Sequence, residues 1–595
     1  YSDEQGIVEK AHFNRYNFRA NLDSEQTKWL KMALNFAYSH TGGQWVNESR
    51  SSLRAGSILS VVNTPPFMQK WNPYDPNEYD EQAYGARILN PLAANAADSN
   101  TNTDHINGSL GFTVDIFKGL KFKTTFGIEL TNEHWDYYLD PISTSDGRGT
   151  KGRVEESFSR NFEWLFENLL TYDCSFNKHN LSILGGATQQ RAQYNGSWMA
   201  GFDLAESYPD IHSISAANQL DKDACGSSAS AWTLASFLGR VAYNYDSRYL
   251  LTVNFRADGS SKFNKDNRYG YFPSGSLAWS FSEEEFMKPL KSVLSSGKVR
   301  LSWGLTGNNR IGEYDYYALL AVLKSRVGSY TSTNSLPSGV YPFDNDATNA
   351  GVVPTSLPNK DLKWETTEQW NAGLDLGFFD ERIGITMDIY RKTTRDLLLD
   401  ASLPFSSGYY SATKNIGKVR NDGLELSLNT VNFQTRAFKW TTNFNISFNK
   451  NKVLALSENQ TALLTAAQFD QNYNGQSSYI AKVGLPMGLM YGYVYEGTYK
   501  YDDFNKSGNS YSLKPGVPHY STETNTQPGM PKYADLNGDG VVDSNDRTII
   551  GRGLPIHTGG FTNNFEYKGI DLSIFFQWSY GNDIMNANRL FFESS

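Results

Sequence analysis

The stretch 237–256 alternates apolar and polar residues on both sides of a short turn. Phe237, Val241, Tyr243 and Tyr245 share one face, against Arg240, Ala242 and Asn244. After Asp246-Ser247-Arg248 the apolar face resumes with Tyr249, Leu251, Val253 and Phe255, against Thr252, Asn254 and Arg256. A period of two belongs to a strand with one covered face, so the stretch predicts an antiparallel hairpin. The same grammar recurs. Trp370, Ala372, Leu374, Leu376 and Phe378 oppose Asn371, Gly373, Asp375 and Gly377; the turn Phe379 to Arg382 leads into Ile383, Ile385, Met387 and Ile389, against Thr386 and Asp388. Phe561, Phe565 and Tyr567 pass through Lys568-Gly569 into Ile570, Leu572, Ile574, Phe576 and Trp578, opposed by Asp571, Ser573 and Gln577. Similar pairs near 16–38, 110–130, 162–188, 274–306 and 422–448 bring the count to about eight hairpins and at least about sixteen strands.

The connections alternate in length. Turns of two to seven residues, such as Lys118-Gly119, Asp246 to Arg248 and Lys568-Gly569, are expected to alternate strictly with long polar loops at 257–272, 307–360 and 449–559. Short turns at one end and long loops at the other are the asymmetry of outer-membrane β-barrels, and apolar stretches of about nine to eleven residues match a tilted membrane strand. Tyr245, Tyr249, Phe378, Phe379, Tyr390 and Trp578, at strand ends, read as interfacial girdles. A soluble sandwich also alternates, but it hides its apolar faces in a common core and needs no such loop asymmetry. No repeat of about 40–50 residues marks a propeller.

Composition agrees. Aromatics reach 14%, with 36 Tyr, 35 Phe and 13 Trp beside 50 Gly, a mixture of strand and turn formers. No window of about 18 apolar residues predicts a membrane helix, which leaves barrel strands untouched because they need one apolar face only. The net charge of −9 gives no basic surface for nucleic acid. Glu283-Glu284-Glu285 reads as a solvated turn. Cys174 and Cys225 lack zinc or CxxC spacing and read as incidental thiols, with a loop disulfide as the other reading.

The polar face carries Arg240, Arg256, Asp375, Asp388, Glu425, Asn443, Asn445 and Asp571. Such charge is tolerable only where it meets water or another polar element, so the lumen is wet or plugged. Asp375 and Asp388 have the residue types of a glycosidase pair, but their place on neighbouring barrel strands favours pore lining. The eight scattered histidines and the absence of HExxH, GxSxG or a phosphate loop point to a non-enzyme.

Tyr1-Ser2-Asp3-Glu4-Gln5-Gly6-Ile7 with Arg15-Tyr16-Asn17-Phe18, then DLKWETTEQWNAGLDLGFF (361–379), ADLNGDGVVDSNDRTIIG (534–551) and FFQWSYGNDIMNANR (575–589), together resemble the SusC-like (RagA-type) branch of TonB-dependent outer-membrane transporters. The resemblance runs through nearly the whole chain. It implies an all-β protein whose large antiparallel transmembrane barrel has 22 strands when complete, in the outer membrane of a Bacteroidetes-type bacterium. Residues 1–595 would be barrel, with the plug domain, the TonB-contacting segment and the last strands outside this sequence. It further implies TonB-driven import of a nutrient, an oligosaccharide or a peptide, under a SusD-like lipoprotein lid, in a dimer of such pairs surrounded by outer-membrane lipid. A passive porin and an extracellular glycan-binding β-module are the competing readings.

Within 449–559, expected to be an extracellular loop region, DLNGDGVVDSND (535–546) has the spacing of a calcium loop. Asp535, Asn537, Asp539, the Val541 carbonyl, Asp543 and Asp546 fall at positions 1, 3, 5, 7, 9 and 12, and Gly540 at 6 permits the sharp turn. Asp at the last position, in place of Glu, resembles dockerin-type loops. The other reading is an Asx-rich surface turn without metal. Calcium would be structural here, since every ligand position is filled by protein. Loop aromatics and amides are the expected substrate contacts, with Tyr409, Tyr410, Tyr473 and Asn474 as candidates.

Overall fold

The computed structural model describes residues 1–46, 57–81, 90–204, 212–222, 224–322, 352–354, 356–403, 405–409, 411–457, 460–467, 477–520, 526–587 and 589. Among the described residues, sixteen long strands form the wall. They are β1 (His12–Thr27), β2 (Leu30–Gln44), β3 (Asp98–Phe117), β4 (Leu120–Leu139), β5 (Arg153–Phe176), β6 (His179–Leu204), β7 (Gly226–Tyr245) and β8 (Tyr249–Ser260), followed by β9 (Tyr269–Trp279), β10 (Leu294–Asn308), β11 (Glu365–Phe378), β12 (Ile383–Arg395), β13 (Lys418–Gln434), β14 (Phe438–Ala455), β15 (His557–Tyr567) and β16 (Ile570–Tyr580). Each pairs antiparallel with the next in chain order. The short strands Ser2–Gln5 and Ala217–Leu220 add to β1 and β6, which makes an eighteen-stranded meander. All eight hairpins expected from the alternation are present.

Two-residue turns close several hairpins at one end. Lys568 (φ 48°) and Gly569 (φ 87°) take the doubly left-handed geometry that suits the twist of flanking strands. The strict alternation of loop lengths fails at one place: the connection 280–293, at the short-turn end, is longer than 261–268 at the opposite end. It folds as two 3₁₀ turns, Phe281–Glu283 and Glu285–Leu290. The expected loops also shrink where alternation continues past the apolar belt. β8 and β9 pair as far as Gly259 and Tyr269, and β14 pairs with β13 through Ala455, so the long C-terminal connection is 456–556 rather than 449–559.

Strand length varies around the wall. β5 and β6 have 24 and 26 residues, whereas β15 and β16 have 11 each. A 26-residue strand is roughly 80 Å long at about 3.3 Å per residue, far more than an apolar band about 25 Å tall requires even when tilted. β5 and β6 therefore continue past the band towards the long-loop end.

The register fixes the faces. Across β10 to β14, Val299, Leu374, Met387, Leu426 and Ile446 stand side by side, and the next row is Leu301, Ala372, Ile389, Leu424 and Phe448. Ile389 is 55% exposed and Phe576, on the same face of β16, is 59% exposed, so this face offers an apolar surface to lipid. The opposite face is polar. Buried apolar residues gather instead at the long-loop end, where Phe263, Phe272, Leu362 and Trp364 pack together and Tyr138, Val154 and Leu204 form a second cluster. Leu362 and Trp364 come from the DLKWE motif. Trp364 Nε1 donates to the Arg268 carbonyl at 2.9 Å, which ties two connections to one aromatic core.

Tyr245 and Tyr249 face each other at the short-turn end, beside which Phe378 and Phe379 also lie, and Trp578 sits on the apolar face towards the other end. Tyr390 departs from the girdle expectation. It shares the polar face with Asp388, because both occupy even positions of β12. Both cysteines are free thiols, which corrects the disulfide alternative.

Candidate functional site

The polar wall is built in cross-strand rows. In one, Arg300 of β10, Gly373 of β11, Asp388 of β12, Glu425 of β13 and Ser447 of β14 are register partners. Arg300 Nε donates to Asp375 Oδ2 at 2.7 Å and Nη2 to Asp375 Oδ1 at 3.0 Å; Nη1 and Nη2 reach the Asp388 oxygens at 3.1 and 3.0 Å. One guanidinium thus forks onto both carboxylates, the geometry of strong charge-assisted pairing. Gly373 makes room for it, since a Cβ there would stand 2.5 Å from Arg300 Cζ. Both carboxylates are committed to one guanidinium, so neither is set apart to act alone on a substrate. The glycosidase-like pair is a structural brace of the lumen wall.

Towards the long-loop end the next rows change character. Ser302, Asn371, Tyr390, Gly423 and Asn449 are followed by Gly304, Gln369, Lys392, Asn421 and Asn451. Asn449 and Asn451 each donate through Nδ2 to Asn421 Oδ1, at 3.2 and 2.9 Å, and Tyr390 lies with its hydroxyl 3.4 Å from Asn449 Oδ1. The tyrosine ring lies over Gly423, where a Cβ would be 2.2 Å from its Cζ. The Met487 amide donates to Asn451 Oδ1 at 2.8 Å, so the long C-terminal connection rests on this cluster. Amides beside an aromatic ring can pair with hydroxyls or peptide groups and stack on an apolar face. The sequence reading missed these residues because it ended the strand at Phe448. Carrying the parity of Asn443 and Asn445 four residues further would have found Asn449.

Of the loop candidates, Tyr409 follows a 3₁₀ turn and its amide donates to Ser407 Oγ at 3.2 Å. Tyr410, Tyr473 and Asn474 lie outside the described residues.

The 535–546 loop is organised by its own amides. Asp535 accepts the Gly538 and Gly540 N–H groups at 2.7 Å each, Asp539 accepts Val541 N–H at 2.8 Å, and Asp543 accepts Asn545 N–H at 2.7 Å. Asn537 Oδ1 accepts the Asp539 N–H at 2.9 Å. Asp546 is fully buried and takes the amides of Leu536 (2.8 Å), Asn537 (3.3 Å) and Asp543 (2.8 Å). The Asp543 amide, then those of Leu536 and Asn537, hold the Asp546 carboxyl below the usual carboxylate range against the opposing effect of burial. Four carboxylates and an amide oxygen are hard-cation chemistry. Their arrangement is that of Asx turns, however, and among the described residues no three acidic, His or Cys side chains gather around one centre. Gly538 (φ 77°) and Gly540 (φ 86°) supply the left-handed turns.

Two of the sequence signatures meet beside this loop. The Arg552 amide donates to Asp583 Oδ2 at 2.8 Å and the Asp583 amide to the Arg552 carbonyl at 2.7 Å, joining TIIGR to the GNDIM segment.

Residues 58–538 match the model of the TonB dependent receptor-like β-barrel family. The chain is 33% identical to "TonB-dependent receptor P3" of Formosa agariphila over 99% of its own length and 56% of that protein's. It is 28% identical to "TonB-dependent receptor SusC" of Bacteroides thetaiotaomicron over 98% and 55%. The chain thus spans about half the length of the curated relatives it matches. Its fold superposes on the RagAB peptide importer in the closed-closed state with a TM-score of 0.76, at 22% identity, covering 98% of this chain and 59% of that one. The antiparallel meander, the apolar outer face and the charged wall are those of an outer-membrane barrel, and the chain belongs to the TonB-dependent receptor β-barrel family.

Proposed function

We propose that this barrel is the translocation path of a TonB-driven importer of an oligosaccharide, with a peptide as the second reading, working beneath a SusD-like surface lipoprotein and in a dimer of such pairs. The observation that carries it is the wall. A family barrel has a braced, charged lumen below and an amide–tyrosine cluster above, at Tyr390, Asn421, Asn449 and Asn451. Sugars and peptides share the hydroxyl, carbonyl and amide groups that such a cluster pairs with, and the peptide reading draws on the fold shared with the RagAB peptide importer. Short turns face the periplasm in outer-membrane barrels, which turns 456–556 outward. The 535–546 loop would then stiffen the mouth, with calcium held by Asp535, Asn537, Asp539, the Val541 carbonyl, Asp543 and Asp546 if its carboxylates give up part of their amide bonding.

The test uses the full-length protein with its lipoprotein in cells. Labelled oligosaccharides and peptides are offered, and uptake is followed with and without a proton-motive-force uncoupler. Uptake should stop on uncoupling, and Asn421→Ala with Asn449→Ala should weaken it for the true substrate. Uptake that continues without the proton-motive force would favour a passive porin. For calcium, chelation should speed proteolysis within 500–550 while the barrel stays folded; equal rates would remove the metal from the proposal.

A further inference from the structure

A groove of about 970 Å³ lies against β10 to β14; it is lined by positions of the lipid-facing rows and, between them in sequence, by Asn371, Tyr390, Gly423, Asn449 and Asn451 of the opposite parity. Its floor is apolar. Leu301, Ile389, Leu424 and Phe448 come from one cross-strand row, and Trp370 stands one row nearer the long-loop end. Hydrocarbon alone would be content anywhere on the belt, so a floor of this kind selects nothing by itself.

The rim selects. Arg391 and Lys450 share the Trp370 row, and Arg420 and Lys452 share the next, against only two carboxylates in those rows, Asp422 and Glu368. Asp422 is occupied, 2.6 Å from Arg391 Nε and 2.9 Å from Arg420 Nε. Glu368 accepts the Trp303 and Trp370 indole N–H groups at 3.1 and 3.2 Å. Lys450, Lys452 and the groove-lining Arg552 make no ion pair among the described residues. With Asp583, whose carboxylate accepts the Arg552 amide at 2.8 Å, the groups named here are five cations against three carboxylates, in a chain of net charge −9 and where the apolar belt ends.

We propose that this groove binds a phosphorylated acyl lipid of the outer leaflet, its chains along the Leu301 to Phe448 row and its phosphate between Lys450 and Arg552. Ammonium and guanidinium groups are the usual partners of phosphate, and they stand where a headgroup meets its acyl chains. This rests on the outward orientation of the long loops given above. A second copy of the chain fits less well, because a twofold contact through this face would press the same cations against each other.

Native mass spectrometry of the full-length protein in detergent, after incubation with phosphatidic acid or with phosphatidylcholine of the same chains, tests it. Phosphatidic acid should be retained in preference, and K450Q with R552Q should lower its retention at least roughly fivefold while leaving phosphatidylcholine adducts unchanged. Ile389→Gln, which keeps the cations, should weaken both lipids. Millimolar inorganic phosphate should not displace the lipid. Equal retention of the two lipids by the unmodified protein, an unchanged adduct in the double variant, or a change of oligomeric mass in its place would overturn the proposal. Heat-modifiable migration on gels reports that each variant is folded, and protease accessibility of 500–550 on intact cells tests the orientation separately.

Discussion

Glu284, at the short-turn end, and Asp546, at the long-loop end, each organise a connection around one carboxylate, but they take their donors from different places. Glu284 accepts the Tyr249 hydroxyl at 2.6 Å and the Trp279 indole at 3.1 Å, and pairs with Arg248 at 3.3 Å. Tyr249 and Trp279 belong to the wall, and Arg248 to the turn that precedes β8. The acidic run is consequently not the merely solvated turn its sequence suggested. Asp546 accepts three amides from its own loop and none from the barrel. A connection bonded to the wall moves with the wall, while the 535–546 segment, bonded around Asp546 to its own amides, folds as a local unit within a connection anchored to the wall elsewhere.

The largest effect that sharpens this contrast is expected from Asp546→Ala. Three N–H groups lose a buried acceptor, so opening of the loop should rise on the order of a hundredfold. Limited proteolysis within 500–550 should report it while the barrel's thermal unfolding stays in place. A fall in barrel stability would break the comparison. Arg300→Met, in the wall between the two ends, supplies the next scale. It strands Asp375 and Asp388 with like charge, but the three side chains keep 18–35% of their surface, so the loss should be roughly 1–2 kcal/mol. Neutralising both carboxylates in the same background should recover most of it, read as a double-mutant cycle in urea.

Glu284→Gln should be milder, about a threefold faster unfolding of the whole barrel with no new cleavage site, because its donors are strand side chains. The smallest effect is in acid. The Tyr249 hydroxyl, then the Trp279 indole, hold the Glu284 carboxyl below the usual carboxylate range. Its contribution is therefore complete above the unfolded pKa of about 4.3 and fades as pH falls through the folded value. Glu284→Gln should flatten that part of the barrel's stability profile and leave the neutral region parallel to the parent.

Hairpins were legible in the sequence because each apolar residue that meets lipid must keep the parity of its strand, as Phe237, Val241 and Tyr243 do opposite Ala257, Val253 and Leu251. Strand ends were not. Above the belt, parity no longer separates apolar from polar, so Asn449 and Asn451 read as loop although both strands continue past them. The same blindness put Tyr390 in the girdle: a tyrosine suits the interface or the lumen equally well, and only its neighbour Asp388, two positions away, marks the face. The calcium-like spacing was plain in the sequence, but spacing alone does not say whether carboxylates turn to a cation or to their own amides.

Gly373 and Gly423 are empty places in the wall that a neighbouring strand's side chain fills, Arg300 in one case and Tyr390 in the other. Such a socket is a property of two positions rather than one. Across relatives, residues 373 and 300, and residues 423 and 390, are expected to change in concert, since a side chain gained at either glycine evicts its occupant. At 423 the eviction would push the Tyr390 ring off the wall and narrow the passage at that level unless residue 390 shrinks with it. A paired exchange there reshapes the bore of the wall without disturbing a single hydrogen bond of the sheet.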